Sequence, residues 1–298
     1  DRGETWEEVD APKFAEGTID KEDKPATVKY LGVLEPGGAD EPGVLYMGTE
    51  PGALFKSKDN GDSWSLVEGL WNHPTREKQW FGGGRDNPYL HSVLVDPRDS
   101  SHLMAGISVA GTFESTDGGA SWAPRNKGLK ADFLPDPEME VGQDPHLVVR
   151  APSNPDYLWQ QNHCGIWKSE DNAQNWDYVS EEGGPAHFGF AVAVDENSAE
   201  TAWVVPGQSD QNRVAVDHAL CVSRTEDGGK TWTALRQGLP QVGCFDITFR
   251  HALDLTGQTL AFGTTSGNLY LSQDGGESWQ SLSNTLPQIY SVRFAVAY

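Results

Sequence analysis

Short apolar segments bounded by glycine, proline and aspartate recur along the whole chain, and no stretch shows the longer period of an amphipathic helix. Such segments are typical of β-strands separated by tight turns. The clearest strands begin at His91 (HSVLVDPRD) and His146 (HLVVRAPSNP). Comparable strands are predicted to begin near Val28, Phe188, Phe245 and Tyr290. The pattern therefore predicts an all-β protein.

One polar turn of the form S-x-D-x-G-x-x-W, here called the aspartate turn, recurs between these strands. Its carboxylate can accept backbone N–H groups, its glycine can adopt positive φ, and its tryptophan can be buried beside the next strand. Successive aspartates are 58, 58, 54, 56 and 47 residues apart. They are Asp1, Asp59, Asp117, Asp171, Asp227 and Asp274. A fixed turn with a period near fifty residues indicates a propeller or a solenoid.

Each repeat is predicted to contain four strands, as a propeller blade does. Five complete blades fit between Val28 and the strand after Trp279. Residues 1–10 and 290–298 would supply single strands of two further, partial blades. We expect a single β-propeller domain over residues 1–298, seven-bladed when complete, with about one blade of chain preceding Asp1.

The composition limits the partners. The chain has 44 acidic residues against 22 lysines and arginines, a formal net charge of −22. Nucleic acid and anionic membranes require a positive surface, so neither is expected as a partner, whereas a basic protein would suit the acidic surface.

Three cysteines without a CxxC pair indicate reduced thiols and weakly favour the cytoplasm. Because a targeting segment could precede Asp1, the localisation stays open.

The aspartate turns, together with segments such as NHPTREKQW, LHSVLVDPRD and QQNHCGIWKSEDN, resemble the Asp-box or bacterial neuraminidase repeat family. That family includes sialidases, sortilin-type receptors, xyloglucan-active glycosidases and photosystem assembly factors. The segments outside the turns look like those of bacterial proteins called glycosyl hydrolase or sialidase-like repeat proteins, and this resemblance covers essentially the whole chain. It implies an Asp-box propeller whose turn aspartates are structural and lie opposite the ligand site. Ala173 and Thr225 depart from the motif and are expected only to loosen their turns.

This arrangement directs attention to the loops on the opposite, upper face. Two loops between blades, at about residues 69–90 and 128–145, are unusually long, and such insertions are commonly functional. A lid that only packs over the channel mouth is the alternative. Trp71 and Trp80 could stack on sugars or anchor the loop by burial. The candidate ligand-binding residues are His73, Arg76, Trp80, His91, Gln143, His146, Asn162, His163 and His187.

Two kinds of chemistry are conceivable at this face. A glycosidase needs two carboxylic groups, and Asp136, Glu140 and Asp144 are the catalytic candidates. A divalent metal could bind His91, His146 and His163, although no HExxH spacing is present. No other cofactor is indicated. Cys164 follows His163 directly, and we interpret it as a rim residue because neighbours on an extended segment point in opposite directions.

Two functions fit these observations. The first is a sialidase-like propeller that binds a glycan or small polar ligand in an acidic, histidine-containing upper pocket, with glycoside hydrolysis left open. The alternative is a non-catalytic propeller that binds a protein or assists assembly. A true sialidase is disfavoured because its early Arg-Ile-Pro motif is missing and upper-face arginines are few, namely Arg76, Arg85 and Arg213.

Overall fold

The computed structural model describes residues 4–21, 23–181 and 183–295. The chain divides into two compact units, unit 1 (residues 1–126, 139–144 and 297–298) and unit 2 (residues 127–138 and 145–296). In the described residues the regular structure is mainly five four-stranded antiparallel sheets. The helices in this described part of the chain are α1 (Glu68–Trp71), α2 (Arg76–Gln79) and a 3-10 turn at Val216–His218. Within the described ranges, none is long and apolar enough to cross a membrane.

Unit 1 contains two of the sheets. In each, every strand pairs with the next one along the chain. The first sheet consists of β1 (Tyr30–Pro36), β2 (Leu45–Glu50), β3 (Leu54–Ser57) and β4 (Ser65–Leu66). The second consists of β5 (Tyr89–Asp96), β6 (Asp99–Ser108), β7 (Gly111–Ser115) and β8 (Ala123–Pro124).

Unit 2 contains three sheets with the same strand order. The first consists of β9 (Pro145–Ala151), β10 (Asn154–Asn162), β11 (Gly165–Ser169) and β12 (Asp177–Tyr178). The second consists of β13 (Gly189–Val194), β14 (Ala202–Pro206), β15 (Val222–Thr225) and β16 (Thr233–Leu235). The third consists of β17 (Leu253–Thr256), β18 (Thr259–Gly263), β19 (Leu269–Ser272) and β20 (Gln280–Ser283). These sheets confirm the predicted all-β fold and its five four-stranded blades.

Each unit has a core between neighbouring blades. In unit 1, Tyr46 and Leu54 of the first blade pack with Leu90 and Phe113 of the second. In unit 2, Trp159 of β10 belongs to one cluster with Val192 and Val204 of the next blade. A further cluster joins Trp203 of β14 to Leu260 and Phe262 of β18. Each blade therefore buries its flat apolar face against its neighbour in the same unit, as the repeat pattern predicts.

The ends of the chain and the fifth blade differ from the predicted strands. The segment beginning at Phe245 forms no named strand, and the first strand of that blade begins at Leu253. The Ile247 carbonyl accepts the Thr265 N–H at 2.9 Å, and the chain turns at Arg250 before that strand. Among the described residues, 4–10 and 290–295 contain no named strand, and Ser291 forms only an isolated bridge with His251. The turn at Asp1 lies outside the described residues.

The five described aspartate turns share one hydrogen-bond pattern. In the last, Asp274 accepts the Ser278 N–H at 2.9 Å and the Ser278 hydroxyl at 2.5 Å. The Ser272 hydroxyl donates to the same carboxylate at 2.7 Å and accepts the Gly276 N–H at 2.9 Å. The turns differ mainly at the glycine position. There Ala173 adopts φ 63°, the left-handed region that favours glycine, yet the bond from its N–H to Ser169 remains at 2.9 Å.

These bonds predict how acid affects stability. They lower the pKa of Asp117, Asp227 and Asp274 to about 2, from an ordinary value of 3.8. A carboxylate with a depressed folded-state pKa contributes stability that is complete above its unfolded value and lost as the pH falls through the folded value. We therefore expect the thermal midpoint to fall steeply between about pH 4 and pH 2.

The variant Asp274→Asn isolates one turn in this experiment. It is expected to lower the midpoint at pH 6 and to reduce the loss of stability between about pH 4 and pH 2. Asp177→Asn is the control, because Asp177 is exposed on β12. Identical pH profiles for wild type and Asp274→Asn, measured by circular dichroism during heating, would contradict a stabilising role for the turn carboxylate.

The hairpins give each blade two distinct ends. Because consecutive strands are antiparallel, the aspartate turn between third and fourth strands lies at one end of the blade. The loop between second and third strands lies at the other, which we call the upper end. In four blades this loop has two to five residues. In the blade of β13 to β16 it has 15, residues 207–221. This long loop adds side chains to the upper end of unit 2.

Candidate functional site

His146 is a buried residue at the upper end of unit 2. It lies at the start of β9 and is only 2% exposed. Its Nδ1 is 2.6 Å from the Gly189 carbonyl oxygen, and its ring stacks on Phe190 with centroids 4.4 Å apart. A carbonyl oxygen can only accept, so Nδ1 carries the proton. In the neutral ring the lone pair is therefore on Nε2.

His163, in the loop after β10, lies beside His146. Their ring centroids are 5.6 Å apart and the rings are nearly perpendicular. On its other side, His163 Nε2 is 3.9 Å from Oδ2 of Asp210, a residue of the 15-residue loop. The side chain of Arg213 donates to Oδ1 of the same carboxylate. An imidazole pair and a carboxylate therefore face one another.

Asp210 stays ionised in this setting. Burial raises the pKa of Asp210, but the hydrogen bond and charge of Arg213 and the charges of His163 and His146 outweigh it. The pKa therefore lies below its ordinary value. At neutral pH the site contains a carboxylate that can accept hydrogen bonds from a ligand or balance a positive charge.

Aromatic rings surround this polar group. Phe188 lies 5.8 Å from His146 and 6.1 Å from His163, measured between centroids. Phe133, from the long loop before β9, is 5.2 Å from His163 and is 40% exposed. The guanidinium of Arg213 lies 5.5 Å from the centre of the Phe190 ring. We call His146, His163, Asp210, Phe188 and Phe190 the histidine–aspartate site.

Three other residues predicted in this part of the chain have structural contacts. Asn162 is fully buried, donates to Gln160 at 2.7 Å and accepts the Cys164 N–H at 3.0 Å. His187 Nδ1 is 2.8 Å from the Ser180 hydroxyl. Asp136 is exposed and accepts the Glu138 N–H at 3.1 Å. Their catalytic or binding roles stay predictions.

Cys164 contacts an acidic residue as well as following His163. Its Sγ is 3.3 Å from Oδ1 of Asp132. Both residues lie in unit 2, Asp132 in the loop before β9 and Cys164 in the loop after β10. The contact ties these two upper loops together, which agrees with the interpretation of Cys164 as a rim residue.

In unit 1, a few buried side chains anchor the long loop at about residues 69–90. Trp71 and Trp80 are 5% and 2% exposed. His73 packs against Trp80 and Phe113, with centroids 6.2 and 5.1 Å away. Burial lowers the pKa of His73, which favours its neutral form. The guanidinium of Arg76 lies 3.4 Å from the Trp71 ring centre. The loop is thus anchored by burial, the alternative to sugar stacking by Trp71 and Trp80.

The remaining predicted residues of unit 1 vary in exposure. His91 is fully buried on β5, and its Nδ1 is 3.0 Å from the Ser92 hydroxyl. Gln143 is fully buried and donates to the Met139 carbonyl at 2.7 Å. Asp144 is 6% exposed and accepts the Val109 N–H at 3.2 Å, whereas Glu140 is exposed.

Two features of the upper ends escaped the sequence reasoning. One is Asp210. The sequence feature that could have indicated it is the long loop between β14 and β15. The other is Glu50, a buried residue at the end of β2 whose carboxylate accepts a hydrogen bond from the Arg85 guanidinium at 2.8 Å. The Arg85 guanidinium lies 4.9 Å from the Tyr30 ring centre and 4.5 Å from that of Tyr89. Nothing in the local sequence distinguishes Glu50 from an ordinary strand-end residue.

No protein-family model matches the chain. Its sequence is 27% identical, over 216 residues, to the oligoxyloglucan-reducing end-specific xyloglucanase of Emericella nidulans, covering 68% of this chain and 25% of that enzyme. It is 26% identical over 290 residues to a xyloglucanase of a Paenibacillus species, covering 89% of this chain and 25% of the enzyme. The chain thus spans about a quarter of the length of the curated relatives it matches.

Solved structures show the same fold. The GH74 xyloglucanase from Xanthomonas campestris superimposes with a TM-score of 0.56 at 18% identity, covering 86% of this chain and 38% of that one. An ancestral GH74 enzyme gives 0.58 at 16% identity, covering 86% and 33%. Among the groups that carry aspartate turns, these relatives point to the xyloglucan-active glycosidases rather than the sialidases. The chain is therefore similar in sequence to xyloglucanases and has the β-propeller fold of GH74 enzymes.

Proposed function

We propose that the chain binds a glycan of the xyloglucan type at the upper ends of its blades, as part of a glycoside hydrolase. The observation that supports this most is the histidine–aspartate site, where an ionised carboxylate and two imidazoles lie among aromatic rings. Sugars present apolar C–H faces and a rim of hydroxyl groups, so sites for them combine aromatic surfaces with a few placed polar groups. The relatives named xyloglucanase supply the class of glycan.

Each side chain of the site makes a different contact with the glycan. Phe133 is the exposed ring beside His163, and it offers a face on which a sugar ring can stack. Asp210 accepts hydrogen bonds from sugar hydroxyls, and Arg213 keeps its carboxylate ionised and oriented. His163, between the two, can donate or accept according to its protonation. Binding thus relies on a flat apolar contact and on directional hydrogen bonds.

Hydrolysis of a glycosidic bond needs two carboxyl groups, of which one is protonated and the other is ionised. Asp210 joins Asp136, Glu140 and Asp144 as a candidate for the ionised role, because its pKa is lowered. Asp144 differs from Asp136 and Glu140 in being buried. Since the chain spans about a quarter of the xyloglucanases it matches, the reaction is proposed for the whole protein.

Calorimetric titration with xyloglucan oligosaccharides tests this proposal, with a parallel assay for newly released reducing ends. Wild type is expected to bind. Asp210→Asn and Phe133→Ala are each expected to weaken binding at least about tenfold, equivalent to about 1.4 kcal/mol. Asp177→Asn and Tyr178→Ala, on exposed positions of β12, are the matched controls and should bind as wild type does.

The outcomes separate binding from catalysis. Binding without turnover supports a glycan-binding role for this chain and leaves the reaction to the whole protein. Absence of binding by wild type, or equal weakening by the control variants, would overturn the proposal. The titrations are run in the presence of a chelator, so that the result does not depend on any metal ion.

A further inference from the structure

The histidine–aspartate site has a geometry that glycan binding alone does not require. Two imidazoles and one carboxylate approach each other, with His146 buried and the other two side chains partly exposed. At least one ligating nitrogen of His146 lies within 4.8 Å of one on His163. His163 Nε2 is 3.9 Å from Asp210 Oδ2. In a tetrahedral zinc site with bonds near 2.1 Å, ligand atoms are about 3.4 Å apart. The contact between His163 Nε2 and Asp210 Oδ2 is about 0.5 Å longer than this, so a bound ion would draw these two side chains together.

The hydrogen bonds behind these groups orient them as metal ligands are oriented. A ligating histidine usually donates its other ring N–H to a carbonyl or carboxylate, and a ligating carboxylate is itself hydrogen-bonded. His146 Nδ1 donates to the Gly189 carbonyl at 2.6 Å, which directs Nε2 as the coordinating atom. The side chain of Arg213 donates to Oδ1 of Asp210, while Oδ2 faces His163. Two of the three groups, His146 and Asp210, therefore already have hydrogen bonds that orient a metal ligand.

The donor set also selects the kind of metal. Two imidazole nitrogens and one carboxylate oxygen suit zinc and similar first-row ions better than calcium or magnesium, which prefer oxygen ligands. The negative charge of Asp210 partly offsets the charge of a divalent ion in this partly buried position. Three protein ligands leave a fourth position of a tetrahedral site for water or another ligand.

We infer that His146, His163 and Asp210 form a binding site for a divalent transition metal ion, with zinc as the best match. The inference goes beyond the proposed glycan binding and does not depend on it. His91, predicted with His146 and His163, belongs to unit 1 and is not part of this set.

Titration with Zn²⁺ alone tests the inference. The chain is purified without an affinity tag, stripped with chelator and studied by calorimetry near pH 7.5, with no glycan present. Wild type is expected to bind one equivalent of zinc at the site. His163→Ala and Asp210→Asn are each expected to weaken that binding at least about tenfold. His218→Ala removes an exposed histidine of the same unit and should leave it unchanged.

A second measurement, of the thermal midpoint, distinguishes the loss of zinc binding from a folding defect in the variants. A ligand that binds only the native state raises the thermal midpoint, so zinc should raise it for wild type and His218→Ala. It should raise it less for His163→Ala and Asp210→Asn, whose circular dichroism without zinc is compared with wild type. Absence of zinc binding by wild type would overturn the inference. So would binding that His163→Ala and Asp210→Asn leave intact, because the zinc would then lie elsewhere.

Discussion

Trp203→Ala is expected to lower the free energy of unfolding of unit 2 by about 4 kcal/mol. Trp203 lies on β14 and is only 2% exposed, within the cluster that joins this blade to that of β17 to β20. Truncation removes a large apolar surface and leaves a cavity between two blades, which surrounding side chains fill only in part. It also removes the indole N–H that donates to the Gly275 carbonyl at 2.9 Å, inside the last aspartate turn.

Two variants separate these contributions in urea denaturation followed by fluorescence and circular dichroism. Trp203→Phe keeps most of the apolar surface and loses the donor, so it should cost clearly less than alanine. Trp6→Ala removes an 88% exposed tryptophan and should stay within about 0.5 kcal/mol of wild type. An effect of Trp203→Ala as small as that of Trp6→Ala would show that this interface contributes little to stability.

The blades were predictable because their determinants are local. Alternation of apolar and polar residues gives the strands, and Ser272, Asp274 and Gly276 form a turn whose bonds span only a few residues. The fifth blade shows the limit of this reasoning. The apolar run from Phe245 reads as a strand, yet regular pairing starts only at Leu253, where the next strand lies alongside. Strand pairing depends on the partner as well as on the segment's own sequence.

The site was less predictable because its geometry depends on contacts distant in sequence. The histidines at the upper ends could be selected from strand direction, and the structure brings His146 and His163 together. Residue type alone could not show that His73 is packed against Trp80 and Phe113. Nor could it bring Asp210 to His163, because these residues come from different blades. The burial of His73 and the path of the loop that contains Asp210 are both properties of the folded chain.

Glu114→Gln is expected to lower the free energy of unfolding by about 3 kcal/mol at pH 7, because it breaks a mostly buried charge network of unit 1. Glu114, on β7 and 6% exposed, contacts His102 Nε2 with one oxygen and Arg125 Nε with the other, both at 2.7 Å. His102 Nδ1 is also 3.3 Å from Asp96, which is 1% exposed. The glutamine leaves Arg125 without its opposite charge in a position that water reaches only partly.

The dependence of this effect on pH identifies its electrostatic origin. Burial raises the pKa of Glu114, but the hydrogen bonds and charges of His102 and Arg125 lower it by a larger amount. The folded-state pKa of Glu114 therefore lies below its ordinary value. The stability from this carboxylate is therefore complete above the unfolded pKa and lost as the pH falls through the folded one. Denaturant midpoints of wild type and Glu114→Gln should converge on acidification. Glu226→Gln, at a 68% exposed carboxylate 3.6 Å from Arg224, should change stability by less than about 1 kcal/mol at any pH. A difference between wild type and Glu114→Gln that stays constant from pH 7 down to acid would assign the effect to packing instead of charge.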